Sequence, residues 1–334
     1  MVFYLSVIIF VMSEIISACS IPLKDIEPDK ELPADVYIFI NGKFIKFKKK
    51  YDTIPIERFD KFIKQKVQYL FINTADQEAF HNWIQSNQAE KKDNLIKKAG
   101  VEFEAIIDKH LDTRDELLHF LTSEVTPDGI ESLLQKTRNF ITQFKKQEQK
   151  ATKILAKIIQ YSDSMADHSM NVANLSIYFG VSLGINDETT LNELYIGALL
   201  HDYGKVVIDI HSIDPIKLPQ KFINEMKRHP DVGRISLLME NGIPNASLKV
   251  IHEHHERFDG KGYPKGLKNE QISKLTKLVS IANYFDNSVA KGTGSLKIKQ
   301  INALNQLKKD NGIFFDPQIL NQCINYLKPV VSEV

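Results

Sequence analysis

Hydrophobic and polar positions along the 334-residue chain change their period near residue 90. Upstream, "VYIFINGKFIKF" (36–47) places two β-rich runs around Asn41-Gly42, the signature of a tight hairpin. "PIERFDKFIKQK" (55–66) opens on proline and carries apolar residues at helical spacing, "VQYLFI" (67–72) reads as a buried strand, and "TADQEAFHNWIQ" (74–85) as a helix capped by Thr74. Together they predict a small α+β domain over 35–86, behind a lead-in (1–34) whose residues 20–34 are rich in proline and charge. Downstream, "DNLIKKAGVEFEAIIDKHL" and "DELLHFLTSEV" repeat apolar residues every three or four positions. Pro127 opens "DGIESLLQKTRNFITQFKKQEQKATKILAKIIQYS", readable as one helix or two. Its "KKQEQK" is polar all round, as in a helix bridging domains through solvent. A helical linker over 87–150 is expected, then an almost wholly helical domain over 151–330. The fold class is mostly α.

Composition is that of a soluble protein, 43% hydrophobic and 25% charged. A formal charge of +1 gives no overall drive toward nucleic acid or an anionic membrane. The basic run "KFIKFKKK" (43–50) reads as a solvated strand or turn face, with a ligand-binding edge as the alternative. Cys19 and Cys323 are the two cysteines, too few for a disulfide framework or a thiolate zinc cluster. The start "VFYLSVIIFVM" is apolar, and "ISAC" (16–19) has the look of a lipoprotein processing site. Against export, no basic region precedes the run, Glu14 interrupts it, and it is too short to span a bilayer. We therefore expect a cytoplasmic protein without a stable membrane span, in which Met12 begins an ordinary start and residues 1–11 are an upstream extension or disordered.

Candidate chemistry lies in the histidines, seven of whose ten fall between 168 and 255. His81, His110, His119 and His211 read as packed or surface residues. His168 sits in a helix whose apolar stripe (Val172, Leu175, Ile177, Phe179) carries it inward. His201-Asp202 ends the apolar run "GALL", where an imidazole and a carboxylate need a partner or a ligand. His229 precedes Pro230 at a helix end, and His254-His255 precede a glycine-rich turn. One carboxylate among five imidazoles suits a first-row transition metal. A carboxylate beside a histidine can bridge two ions, a pair suited to in-line phosphoryl displacement. Lys205, one turn on, is either a stabiliser of phosphate charge or a helix C-terminal cation. Glu14, Asp163, Asp167 and Glu253 are weaker ligand candidates. The loop "HHERFDGKGYPKGL" (254–267) adds Arg257, Lys261 and Tyr263, groups that would meet a phosphate-rich ligand with aromatic bases.

In these segments, "HDYGK" (201–205), "MKRHPDVG" (226–233) and "HHERFDGKGYPKGL", with "HSMNVANLS" (168–176) before and "FFDPQIL" (314–320) after, the sequence resembles the HD-GYP family of HD phosphohydrolases. The resemblance covers roughly residues 150–330. It implies an all-helical HD-type catalytic domain that hydrolyses cyclic di-GMP at a two- or three-metal centre, with iron or manganese as the ions. By the same resemblance, His168, His201 and Asp202 hold one metal, and Asp202 bridges to a second held by His229, His254 and His255. Lys205 faces the scissile phosphate and the Gly262-Tyr263-Pro264 loop lines the ligand cleft. The expected partners are cyclic di-GMP and a signalling protein at the N-terminal domain.

Three positions depart from the family pattern. Asn283, in "LVSIANYFDNSVA", stands where the family has its last aspartate ligand, which weakens the first site; Asp286, one turn on, is the candidate to compensate. Ser164 replaces the glutamate of trinuclear members, so two ions are expected. The phosphate-contacting arginine segment becomes "AKGTGSLK" (290–297), leaving Lys291 and Lys297. Two readings follow: an active phosphodiesterase, or a degenerate member that binds cyclic di-GMP or a protein without turnover.

Overall fold

The computed structural model describes residues 6–9, 16–147, 154–155, 164–208, 218–240 and 242–332. Five strands form one antiparallel sheet, β1 (Ser6–Ile9), β2 (Ile16–Pro22), β3 (Val36–Ile40), β4 (Lys43–Lys48) and β5 (Tyr69–Asn73), in the order β1-β2-β5-β3-β4. The β3–β4 hairpin turns at Asn41-Gly42, both at positive φ (51° and 78°), the geometry that selects Asn-Gly in a two-residue turn. Strand β5 falls where the apolar run predicts it, between β2 and β3.

Two expectations at this end change. The lead-in is part of the sheet and its core. Part of residues 1–11 is strand β1, and β2 pairs with β5 over Ala18–Pro22, burying Cys19 and Ile21 beside Leu70 and Ile72. Leu23, Ile26, Leu32 and Ala34 join the same core, so the charged residues between them decorate one side of a buried segment. Thr74 is not the cap: Asn73 accepts the Ala75 N–H and starts a short 3-10 turn (Thr74–Asp76), after which the helix proper begins.

Helix α1 (Ile56–Lys64) buries Phe59, Phe62 and Ile63. Helix α2 (Gln77–Ala99) runs unbroken through the boundary expected at 86/87 and stops at Gly100, whose φ of 113° a side chain would strain. Helices α3 (Glu104–Thr122) and α4 (Pro127–Lys145) form an antiparallel pair, α4 capped by Thr126. Residues 145–147 are the last described there, and the second half of "KKQEQK" lies outside the described residues.

The rest is helical: α5 (Met165–Ser182), α6 (Glu188–Leu199), α7 (Gly204–Val207), α8 (Pro219–Met226), α9 (His229–Met239), α10 (Asn245–Glu253), α11 (Lys274–Ala290), α12 (Leu296–Lys309) and α13 (Pro317–Ser332). Helix α5 is buried on every side from Ser169 to Gly180, packed between α6 and α11. An apolar helix without a polar face belongs at the centre of a bundle. The chain is thus mostly α, an all-helical domain preceded by a small α+β domain. No helix among the described residues is long and apolar enough to cross a membrane.

Candidate metal centre

Each histidine of the cluster is aimed by its own backbone neighbourhood. His201 Nδ1 lies 2.7 Å from Ala198 O at the end of α6, His229 Nδ1 2.7 Å from Met226 O at the start of α9, and His254 Nδ1 2.9 Å from Ile251 O at the end of α10. A carbonyl can only accept, so each Nδ1 carries the proton and each Nε2 presents a lone pair. His168 is set differently: its Nδ1 donates to Asp286 Oδ2 at 2.6 Å, and Asn171 donates to the other oxygen at 2.9 Å. Carboxylate–histidine pairs of this kind orient metal-binding imidazoles.

Asp202 lies at the centre, 3% exposed. Its Oδ2 is 3.6 Å from His168 Nε2 and 3.4 Å from His201 Nε2; its Oδ1 is 3.2 Å from His229 Nε2 and 3.7 Å from His254 Nε2. One oxygen thus faces each pair. His255 completes the second group, and ligating atoms within each group lie within 4.8 Å of one another. Bringing α7 onto α9 needs Gly204: a Cβ there would sit 1.9 Å from His229 O. Opposite it, Gly233 would place a Cβ 2.9 Å from Gly204 N.

Electrostatics favour the ligating protonation states. Burial pushes the imidazolium form of His201 and His254 down, His254 strongly, and drives His255 to about 3, helped by His229. Burial alone would raise Asp202, yet His201 and Lys205 hold it well below the usual carboxylate range. Neutral imidazoles and an ionised carboxylate are what a dication requires. Donor atoms also lack other partners. Among the described residues, Nε2 of His168 and of His201 and Oδ1 of Asp202 are buried without a hydrogen bond. His229 and His254 point their Nε2 lone pairs at each other across 3.1 Å. Such an arrangement is costly unless cations sit among these atoms. The residues present fit a pair of metal ions.

A cleft of about 560 Å³ opens beside the second group, lined by Lys205, Lys227, His254, His255, Arg257, Lys261, Tyr263, Asn283, Tyr284, Asn287, Lys291 and Phe314 among others. Tyr263 stacks on His255 with ring centres 4.6 Å apart, and Lys227 lies over its outer side. Arg257 covers the Phe314 ring at 3.8 Å and pairs with Asp259. Glu256, buried, accepts from the backbone N–H of Lys265 and of Leu267 and so fastens the loop. Gly262 has no room for a side chain, since a Cβ would lie 2.4 Å from Arg257 N.

The residues named from the sequence therefore come together in large part. His168, His201, Asp202, His229, His254 and His255 converge, with Lys205 on the Asp202 carboxylate. Arg257, Lys261, Tyr263 and Lys291 line the cleft, whereas Gly262 and Pro264 shape its loop and Lys297 stays outside. Asn283 also reaches the cleft, but its amide oxygen accepts from Asn287 Nδ2. Asp286, the candidate to compensate, instead has its two oxygens on His168 and Asn171. Asp167 pairs with Arg114, and Glu253 with Lys265. Glu14, Asp163 and His211 lie outside the described residues. Sequence reading missed Glu256, Asn171 and Lys227. Glu256 had a signal, a carboxylate between the paired histidines and the glycine-rich turn.

A model of the HD domain matches residues 143–319, more than half of the chain. The chain is 30% identical over 196 residues to the cyclic di-GMP phosphodiesterase response regulator RpfG of Xanthomonas campestris pv. campestris, a match covering 57% of this chain and 51% of that protein. It is 29% identical over 205 residues to a cyclic di-GMP phosphodiesterase of Thermotoga maritima, covering 60% and 55%. The chain thus spans about half the length of these curated relatives. Among solved structures, an HDG"Y"P protein from Bdellovibrio bacteriovorus superposes with a TM-score of 0.62 at 20% identity, over 93% of this chain and 99% of that one. At that identity the likeness is one of fold, and it extends through the small N-terminal domain. With that model matched over more than half of its length and the histidines gathered on Asp202, the chain belongs to the HD-domain family.

Proposed function

We propose that the protein is a cytoplasmic, metal-dependent phosphodiesterase that opens cyclic di-GMP to linear pGpG and carries it on to GMP. The observation that carries this reading is Asp202, with one oxygen toward His168 and His201 and the other toward His229 and His254. His168, His201 and Asp202 would hold one ion and Asp202, His229, His254 and His255 the other, a first-row transition metal by donor type and iron or manganese by the family resemblance. When bound, such a pair supplies Lewis acidity toward a phosphate and activates water for in-line attack. The chain's own residues do the rest. Lys205, between Asp202 and the cleft, balances charge on the phosphate oxygens. Lys261 and Lys291 meet phosphate from the cleft walls, and Tyr263, held against His255, gives a flat face for a base. Arg257 stacked on Phe314 gives a second such face. A signalling partner acts through the N-terminal domain.

One observation favours a second reading, a cyclic di-GMP receptor without turnover. Asn283 offers no charge, and its oxygen is engaged by Asn287, so the first ion would rest on two histidines and one shared carboxylate. Metal analysis of anaerobically purified protein, with a cyclic di-GMP hydrolysis assay alongside, decides. About two ions per chain with release of pGpG supports the enzyme. Two ions and bound cyclic di-GMP without product supports the receptor, and metal-free protein removes both.

A further inference from the structure

The family match begins at residue 143, yet residues from well upstream take hold of the helix that carries His168. Helix α5 starts at Met165, directly after its N-cap residue Ser164. The Met165 N–H, one of the first-turn donors that a helix leaves without an internal acceptor, is met by Asp60 of α1, at 3.1 Å to Oδ1 and 3.3 Å to Oδ2. Two residues on, Asp167 receives the Arg114 Nε of α3 at 2.6 Å, in a pair whose members are 6% and 8% exposed. His168 comes next, its N–H closing the first helical turn on Ser164 O at 2.9 Å. Helix α1 also packs on α7, the short helix that follows Asp202.

We propose that the N-terminal domain sets the affinity of the first metal site, with Asp60 as a positioning residue that fixes the opening turn of α5 and hence His168. A negative charge at a helix N-terminus stabilises that turn, and the effect fades beyond it. His168 lies within that turn; His229, His254 and His255 lie on α9 and at the end of α10. Asp60 therefore acts on one ion of the pair. A partner that moves α1 would tune the centre by this same route. The inference rests on the metal reading above.

The test uses the full chain and Mn(II) alone. Manganese is titrated while paramagnetic resonance distinguishes single ions from exchange-coupled pairs. In Asp60→Ala the coupled pair should form at roughly five-fold higher Mn(II), the size expected when the loss of one cap falls on that turn, while the tighter ion is unchanged. Asp60→Asn, which keeps an acceptor oxygen but not the charge, should recover the part of the loss that is hydrogen bonding and fall between wild type and Asp60→Ala. Thr126→Ala removes a comparable cap from α4 and should leave both ions untouched. Equal weakening of both ions, or an Asp60→Ala titration that matches wild type, overturns the inference. If the wild-type chain itself binds no Mn(II), the metal reading has failed instead.

Discussion

Asp286→Asn is the substitution that separates a ligand from a residue that aims a ligand. In the structure the carboxylate is 1% exposed, taking His168 Nδ1 at 2.6 Å and Asn171 Nδ2 at 2.9 Å. An amide of the same shape has one acceptor for two donors. If its oxygen serves His168, its NH2 meets the Asn171 NH2, and one buried donor is left without an acceptor. The imidazole also loses the negative charge that makes Nε2 a better donor to a metal. Losses of such partners weaken metal binding by about 10–100-fold, or roughly 1.4–2.7 kcal/mol.

Calorimetric titration with Mn(II) reads this directly. The first ion should weaken within that range, and the second, held from α9 and α10, should keep its affinity. Two results refute the reasoning. Unchanged affinity would mean that the 2.6 Å contact does not orient His168. Complete loss of the first ion, with no measurable residual binding, would mean that Asp286 itself coordinates.

Asp202→Ala should abolish binding at both ions in the same titration, because one carboxylate faces both histidine sets; retention of either ion would break the bridging assignment. Lys205→Ala should keep both ions and lower cyclic di-GMP turnover by about 10²-fold, the cost of losing one well-placed charge. Asn283→Asp should tighten the first ion by at least about ten-fold, and an unchanged titration would show that this face of α11 does not reach the metal. His110, driven by burial to about 3 from 6.5, stays neutral in the fold while the unfolded chain takes up a proton below 6.5. Stability therefore falls as pH drops below 6.5, by up to about 1.4 kcal/mol per unit. Urea unfolding at pH 7, 6 and 5 should show His110→Gln with a visibly flatter loss than wild type.

Much of the fold was legible because its signals are local. Asn41-Gly42 names a turn through its positive φ, Pro127 marks the start of α4, and the run of buried residues in α5 needs a bundle around it. The N-terminal strands were not legible for the same reason. Charged and proline residues between Ile21 and Ala34 dominate any short window, and only pairing with β5, some fifty positions away, turns that stretch into core. Asn73 displaced Thr74 as a cap by one residue, a distinction that rests on side-chain geometry more than on residue type.

The metal centre divides along the same line. Histidines, Asp202 and Lys205 were readable from spacing and family resemblance, since ligand chemistry restricts the residue types that can serve. Residues that make those ligands usable obey no such restriction. Asp286 aims His168 from 118 positions away, Glu256 holds the cleft loop by two backbone N–H groups, and Asp60 reaches α5 across 105 positions. A carboxylate in any of these roles looks, in sequence, like an ordinary surface acid, and Asp286 looked like a spare ligand. For Asp286 and Glu256, 1% and 4% exposed, burial is what tells them apart: a carboxylate so buried must have its oxygens satisfied, so identifying the donors identifies the role. For Asp286 the donors are an imidazole and an amide, the partners of a residue that aims His168, and the grouped donor atoms of the first site are those of His168, His201 and Asp202. A site so short of negative charge depends more than most on how well His168 is aimed, and Asp60 and Arg114 of the N-terminal half reach the turn that carries it.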